Sequence, residues 1–301
     1  MKMMTTMDPL SQVHLWMKCT SHLRKVSYSH LRGTQTLTPF TASAWEYPRS
    51  LTLLGSKIGQ LNLLNLTQHF LFYQLNPMST IEPNHLTLPM CPMIWDSRVS
   101  VFHSAIVTFH TPSNPSGPGG MYQEVIHSTP SWPKGDIPGP HQDCVFIDVG
   151  NLEDMGMKGL LVAQVYLFFK FLYDRVDYPC APVHWYSTGD EPDAATGFWV
   201  VWPESTHLGS HHASVIHLNS IIRVVHLLPI FPSDAPVYWE INYMNVLNIY
   251  TSFYVDKFID HHVFEVASWC IFSSLVPSIN TSWKKRWQPL LKGKVRMSRE
   301  K

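Results

Sequence analysis

Residues 259–265, IDHHVFE, gather two imidazoles between carboxylates, the mixture from which divalent metal sites are made. On a helix His261 and Glu265 lie one turn apart, as do Asp256 and Asp260, so two or three ligands could converge. The zincin order HExxH is absent, and the inverted HxxEH fails because Val266 follows Glu265. Asp260, His261 and Glu265 are therefore the metal candidates; the plainer reading is a helix end with ordinary polar contacts. Asp148, closing the run CVFID, is a strand-borne carboxylate of the kind a two-metal nuclease uses, with Asp260 or Glu265 holding a second ligand position.

Residues 177–201, DYPCAPVHWYSTGDEPDAATGFWVV, pose the other chemical question. A thiol, an imidazole and several carboxylates sit among aromatic and β-branched residues. In an extended chain Ala181, Val183 and Trp185 share one face, and Cys180, Pro182, His184 and Tyr186 the other. Cys180 and His184 would then stand roughly 13 Å apart, too far for a nucleophile–base pair. Counted as a calcium loop from Asp190, the third and fifth positions are Pro192 and Ala194, which offer no side-chain oxygen. The segment reads as a hairpin whose acidic tip faces water. SGPGGM (116–121) lacks the Lys-Ser/Thr of a phosphate loop, and no GxSxG elbow occurs.

The elements that must carry these residues follow from periodicity. Leu63, Leu66, Phe70 and Tyr73 recur at helical spacing and Asn76-Pro77 closes the run, predicting a helix near 60–76. Residues 98–113 read as a strand pair or one long strand, 143–150 as a strand, and 159–173 as one long strand. Residues 114–132 begin as a turn and continue as a short helix, and 213–231 give one or two strands. Val246, Ile249, Tyr250, Phe253, Phe258 and Phe264 predict a C-terminal helix near 243–266. The fold class expected is α+β: a mainly antiparallel β-sheet or small barrel with flanking helices.

Among 301 residues 45% are hydrophobic and only 15% charged, enough apolar material for one sizeable core. The formal net charge of zero hides a segregation. Residues 1–40 carry five Lys/Arg against Asp8, and 281–301 carry eight against Glu300, leaving nine basic and twenty acidic residues in 41–280. The ends are thus +4 and +7 and the body −11. Three segments are expected: 1–50 loosely ordered and basic, 57–277 a single mainly-β domain, and 281–301 a basic tail. Lys284, Lys285, Arg286, Lys292, Lys294 and Arg296, interleaved with Trp283 and Trp287, are the nucleic-acid-binding candidates. Five unpaired, irregularly spaced cysteines and no secretory leader point to reduced thiols in the nucleus or cytoplasm. GLLVAQVYLFFKFLY is too short and too polar to span a bilayer, so no membrane association is expected.

Taken in order, GQLNLLNL…FLFYQLNP, SVFHSAIVTFHTPSNPSGPGGMYQEVIHSTPSW, DCVFIDVG…GMKGLLVAQVYLFFKF, YPCAPVHWYSTGDEPDAATGFWVV, SVIHLNSIIRVVHLLPIF and NIYTSFYVDKFIDHHVFE form a set. That set resembles the C-terminal region of proteins encoded by fungal DNA transposons of the Plavaka (Kyakuja–Dileera–Zisupton-like) group, from about residue 57 to 266. The resemblance implies a DDE-type, RNase H-like core and a zinc-finger segment upstream of such a region, and carries no catalytic residue onto this chain. The order of strands also resembles small chromatin-reading barrels of the BAH type, a fold-level analogy that licenses no ligand.

The function expected is a non-enzymatic accessory or interaction domain, with DNA at the basic ends or another protein as partner. No cofactor and no small-molecule substrate is expected. The rivals are a metal-dependent nuclease or transposase remnant built on Asp148, Asp260, His261 and Glu265, and a fragment with no selected function.

Overall fold

The computed structural model describes residues 38–40, 47–94, 98–110, 121–132, 139–148, 156–206, 209–231, 241–242, 244–260, 262–264 and 267. The architecture is α+β and mainly antiparallel, two open sheets with helices against one flank rather than a closed barrel. The smaller sheet runs β1 (Thr38–Phe40), β3 (Ser104–His110), β4 (Met121–Trp132), β5 (Gly139–Gln142).

The larger sheet is organised by β9 (Val176–Thr188), whose residues alternate between two buried faces as the sequence predicts. Along one edge of β9 lie β8 (Phe168–Tyr173) and then β7 (Leu160–Val165). Along the other lie β11 (Ala213–His217) and then β10 (Val200–Pro203). Beyond β7 come β6 (Cys144–Asp148) and β12 (Ile221–Val225); beyond β8 comes β2 (Ser100–Phe102). Beyond β10 come β14 (Phe253–Val255) and β13 (Leu227–Pro229). The expected long strand over 159–173 is therefore two strands in line, interrupted at Tyr166–Leu167, where the outer neighbour changes from β6 to β2.

The two sheets pack through Ala105, Val107, Phe109 and Ile126 against Val145, Ile147, Ala163, Val183 and Trp185. The reverse face of the large sheet buries Phe146, Val162, Tyr186, Trp199 and Val201 with Phe253 and Val263. The flank formed by β2, β8 and β11 is covered by α1 (Leu51–Lys57) and α2 (Leu63–Leu75), through Leu54, Leu63, Phe70 and Leu71. The α2 helix ends where expected, with the Asn76 amide and backbone N–H both donating to the Phe72 carbonyl at 2.9 Å and Pro77 following. Leu51 and Leu54 belong to this core, and Thr38–Phe40 pairs with β3, so folded structure begins ahead of residue 57.

Three further expectations are corrected. The helix expected over 243–266 is broken: the described residues are helical at α3 (Val246–Ile249) and again at 262–264, and between them the chain turns extended, where β14 pairs with β10 and β13. Of the apolar residues at helical spacing there, Val246 and Ile249 do lie in α3, Phe253 is buried in β14 and Phe258 is exposed, because strand pairing overrides a short periodic signal. Residues 121–132 form not a short helix but β4, in register with β3 from Ser104↔His127 to His110↔Met121. Residues 213–231 supply three short strands rather than one or two.

The β8–β9 hairpin closes on Asp174 (φ 45°) and Arg175 (φ 62°), both left-handed and neither glycine, between the paired Tyr173 and Val176. Two-residue turns with both φ values positive favour Asn-Gly. Arg175→Gly should therefore raise the unfolding free energy by about 0.5–1 kcal/mol, read as a higher thermal midpoint.

Candidate functional site

The sequence's chemical residues acquire partners once the sheets are assembled. Arg223, on β12, is 2% exposed and points between the two sheets. A cation there requires negative partners, and it has two. Its Nη1 and Nη2 donate to both oxygens of Asp260 (3.0 and 2.7 Å), and Nη2 also donates to Glu124 of β4 (3.1 Å). The second oxygen of Glu124 accepts the backbone N–H of Val224 at 2.9 Å. Nη1 lies 3.0 Å from His262 Nδ1, and the guanidinium sits over the Phe109 ring, against which His262 stacks at 4.7 Å. Partial burial works to raise the Asp260 carboxyl; the Arg223 hydrogen bonds and the Val263 N–H outweigh it, so the group lies below its ordinary value.

Asp260 is thus an ion-pair partner in this structure. His261, Glu265 and the tail residues Lys284, Lys285, Arg286, Lys292, Lys294 and Arg296 lie outside the described residues. Asp148 is half-buried at the end of β6, opposite Leu160.

In the quoted hairpin Cys180 is fully buried and donates its thiol proton to the Tyr178 carbonyl (3.4 Å). Burial pushes this thiol well above its usual range, the setting of a structural cysteine. His184, 7% exposed, meets Gln60, which the α1–α2 connection folds back so that its N–H reaches the Gly55 carbonyl at 2.8 Å. A Cβ on Gly55 would collide with the Gln60 carbonyl, so glycine permits this approach. The Gln60 amide nitrogen donates to His184 Nε2 at 2.5 Å, which requires a neutral ring. Tyr166 and His211 pack on the imidazole, with ring centroids 3.9 and 5.1 Å away. Burial, with His211 and His212 nearby, takes the His184 pKa from 6.5 down to about 4.

The loop expected at the acidic tip is as read: Asp190 and Glu191 are exposed, and Asp193 accepts the N–H and hydroxyl of Thr196 at 2.8 and 2.7 Å. The buried Lys257, opposite, donates to the Gly197 carbonyl (2.6 Å) and anchors the loop.

A third constellation, which sequence reasoning did not single out, lies where the small sheet passes into the large one. Asp143 occupies the corner between β5 and β6. Its backbone N–H donates to the His127 carbonyl, its carbonyl accepts from Val165 N–H, and its Oδ2 accepts the His127 N–H at 2.7 Å. The same carboxylate faces two imidazoles: Oδ2 is 3.3 Å from His127 Nδ1 and Oδ1 is 3.2 Å from His141 Nε2. Among the described residues, these three form the one group of His, Cys, Asp or Glu ligand atoms lying within 4.8 Å of one another. His141-x-Asp143 was the available signal, because residues two apart on an extended chain share a side.

Compared with protein-family models, curated proteins and solved structures, the chain matches none.

Proposed function

We propose that the chain is a non-catalytic accessory domain of a transposon-derived protein, contacting nucleic acid in the nucleus through its basic ends. The observation that carries this reading is the charge segregation, −11 in residues 41–280 against +4 and +7 at the ends. Phosphate neutralisation falls to the ends, because an acidic body repels a duplex. The described body supports the same reading. The thiol, imidazole and carboxylate that look most like chemistry, Cys180, His184 and Asp260, each serve packing or an internal ion pair.

The test is fluorescence anisotropy of labelled duplex DNA across a salt series. It compares the full chain with one in which Lys284, Lys285, Arg286, Lys292, Lys294 and Arg296 are all replaced by Gln. Six phosphate contacts give a slope of log affinity against log salt of about −5. That slope is expected for the native chain and should shrink by most of its value in the variant. Binding of equal strength and slope in both would move the contact away from the tail, and the same result after Lys2, Lys18, Arg24, Lys25 and Arg32 are replaced by Gln as well would overturn the reading.

A further inference from the structure

We propose that His127, His141 and Asp143 form a binding site for a divalent transition-metal ion of the Zn²⁺ class, stapling the junction between the two sheets. Two imidazoles and a carboxylate are a donor set for this class, with a water able to complete the tetrahedron. Metal–ligand bonds of about 2.0–2.2 Å place neighbouring ligand atoms of a tetrahedral centre about 3.3–3.6 Å apart. The carboxylate oxygens already stand 3.3 and 3.2 Å from His127 Nδ1 and His141 Nε2. The three side chains are 29%, 32% and 17% exposed, open enough for an ion and its water to reach them.

Their support is firm where it must be. Asp143 is fixed through backbone bonds to β4 and β7, and His127 lies mid-strand in β4. His141 sits on the four-residue β5, the outer strand of the small sheet among the described residues. The two rings stack with centroids 4.9 Å apart and planes at 12°, so both nitrogens address one ion only after a ring turns about its Cβ–Cγ bond. His141 is the ring that turns. The imidazole–carboxylate hydrogen bonds give way to metal bonds, and each neutral ring carries its proton on its other nitrogen, Nε2 of His127 and Nδ1 of His141. The adjacent Cys144 takes no part, being buried on the opposite face with Phe146 and Tyr186.

Co²⁺ titration of the full chain, followed by its visible ligand-field bands and by competition with Zn²⁺, tests this. One equivalent with tetrahedral bands is expected, and a fall in affinity of about tenfold or more in His141→Gln and in His127→Gln. Zn²⁺ should also raise the thermal midpoint of the native chain and not of the variants. Seventeen histidines offer other sites, so undiminished binding in both variants would place the ion elsewhere and overturn the proposal. Absence of bands from the folded native chain would overturn it equally. Should a variant not fold, protection of His127 and His141 by Zn²⁺ against diethylpyrocarbonate, mapped by mass spectrometry on the native chain, decides the matter. Protection confined to these two rings supports the site, and its absence overturns it.

Discussion

Replacing Arg223 by methionine should lower the unfolding free energy by about 3 kcal/mol, read as a fall in the urea midpoint. The guanidinium is almost fully buried, and its removal leaves Glu124 and Asp260 facing each other with no cation between them. Breaking such a group by deleting one partner costs about 3–5 kcal/mol, because a buried charge is left uncompensated. Glu124 is 17% exposed but Asp260 is 40% exposed, so water recovers part of the loss and the lower end of that range applies. Adding Glu124→Gln to Arg223→Met should restore a good part of the midpoint, since the neutral amide keeps an acceptor for the Val224 N–H. A midpoint that does not move in the single variant would show that the network carries no stability.

Acid should loosen the same fold as pH falls below 6.5. His184 is held neutral by burial and by its imidazole neighbours, with its pKa depressed from 6.5 to about 4. Between those values the unfolded chain binds a proton that the folded chain refuses. Stability therefore rises with pH across this window; it is lost as pH falls from 6.5 toward about 4 and levels off below. The full window corresponds to about 3 kcal/mol. The facing groups are Tyr166 and Gln60, His211 on the ring face, and His212 with Glu204 at 3.3 Å. His69 and His217 are shifted down by burial too and add to the slope. Asp260 contributes lower on the scale, where its depressed carboxyl finally takes a proton. Thermal melts of the native chain and His184→Gln across the window are the measurement. The variant should show a distinctly flatter dependence, and equal slopes would remove His184 from the account.

What could be read from the chain, and what could not, follows from how local each signal is. The α2 helix was legible because apolar spacing and the Asn76-Pro77 stop lie within one segment. The β9–β10 hairpin was legible because Ala181, Val183 and Trp185 alternate cleanly with Cys180, His184 and Tyr186. The β4 strand was not, since its inward face is Glu124, Ile126 and Ser128, two of them polar, and polar inward residues erase the period-two pattern. Glu124 is inward because Arg223 awaits it a hundred residues later. The lone arginine in IIRVVHLL was the hint: a cation inside an apolar strand demands carboxylates, though not which ones. Likewise His127, His141 and Asp143 meet only because β4 and β5 pair with Thr129 opposite His141. No spacing motif announces that register.

The placement of β9 has a consequence for synthesis on the ribosome. One edge of this thirteen-residue strand is matched by β7 and β8, already made, and the other waits for β10 and β11. About 30 residues separate Thr188 from the end of β11, roughly 1.5–6 s of elongation at about 5–20 residues per second. During that interval the nascent chain displays a long apolar strand with open hydrogen-bonding groups, a template for pairing with a neighbouring nascent chain. A premature stop between β9 and β11 would make that exposure permanent, so early termination there yields an aggregating product, not a smaller domain.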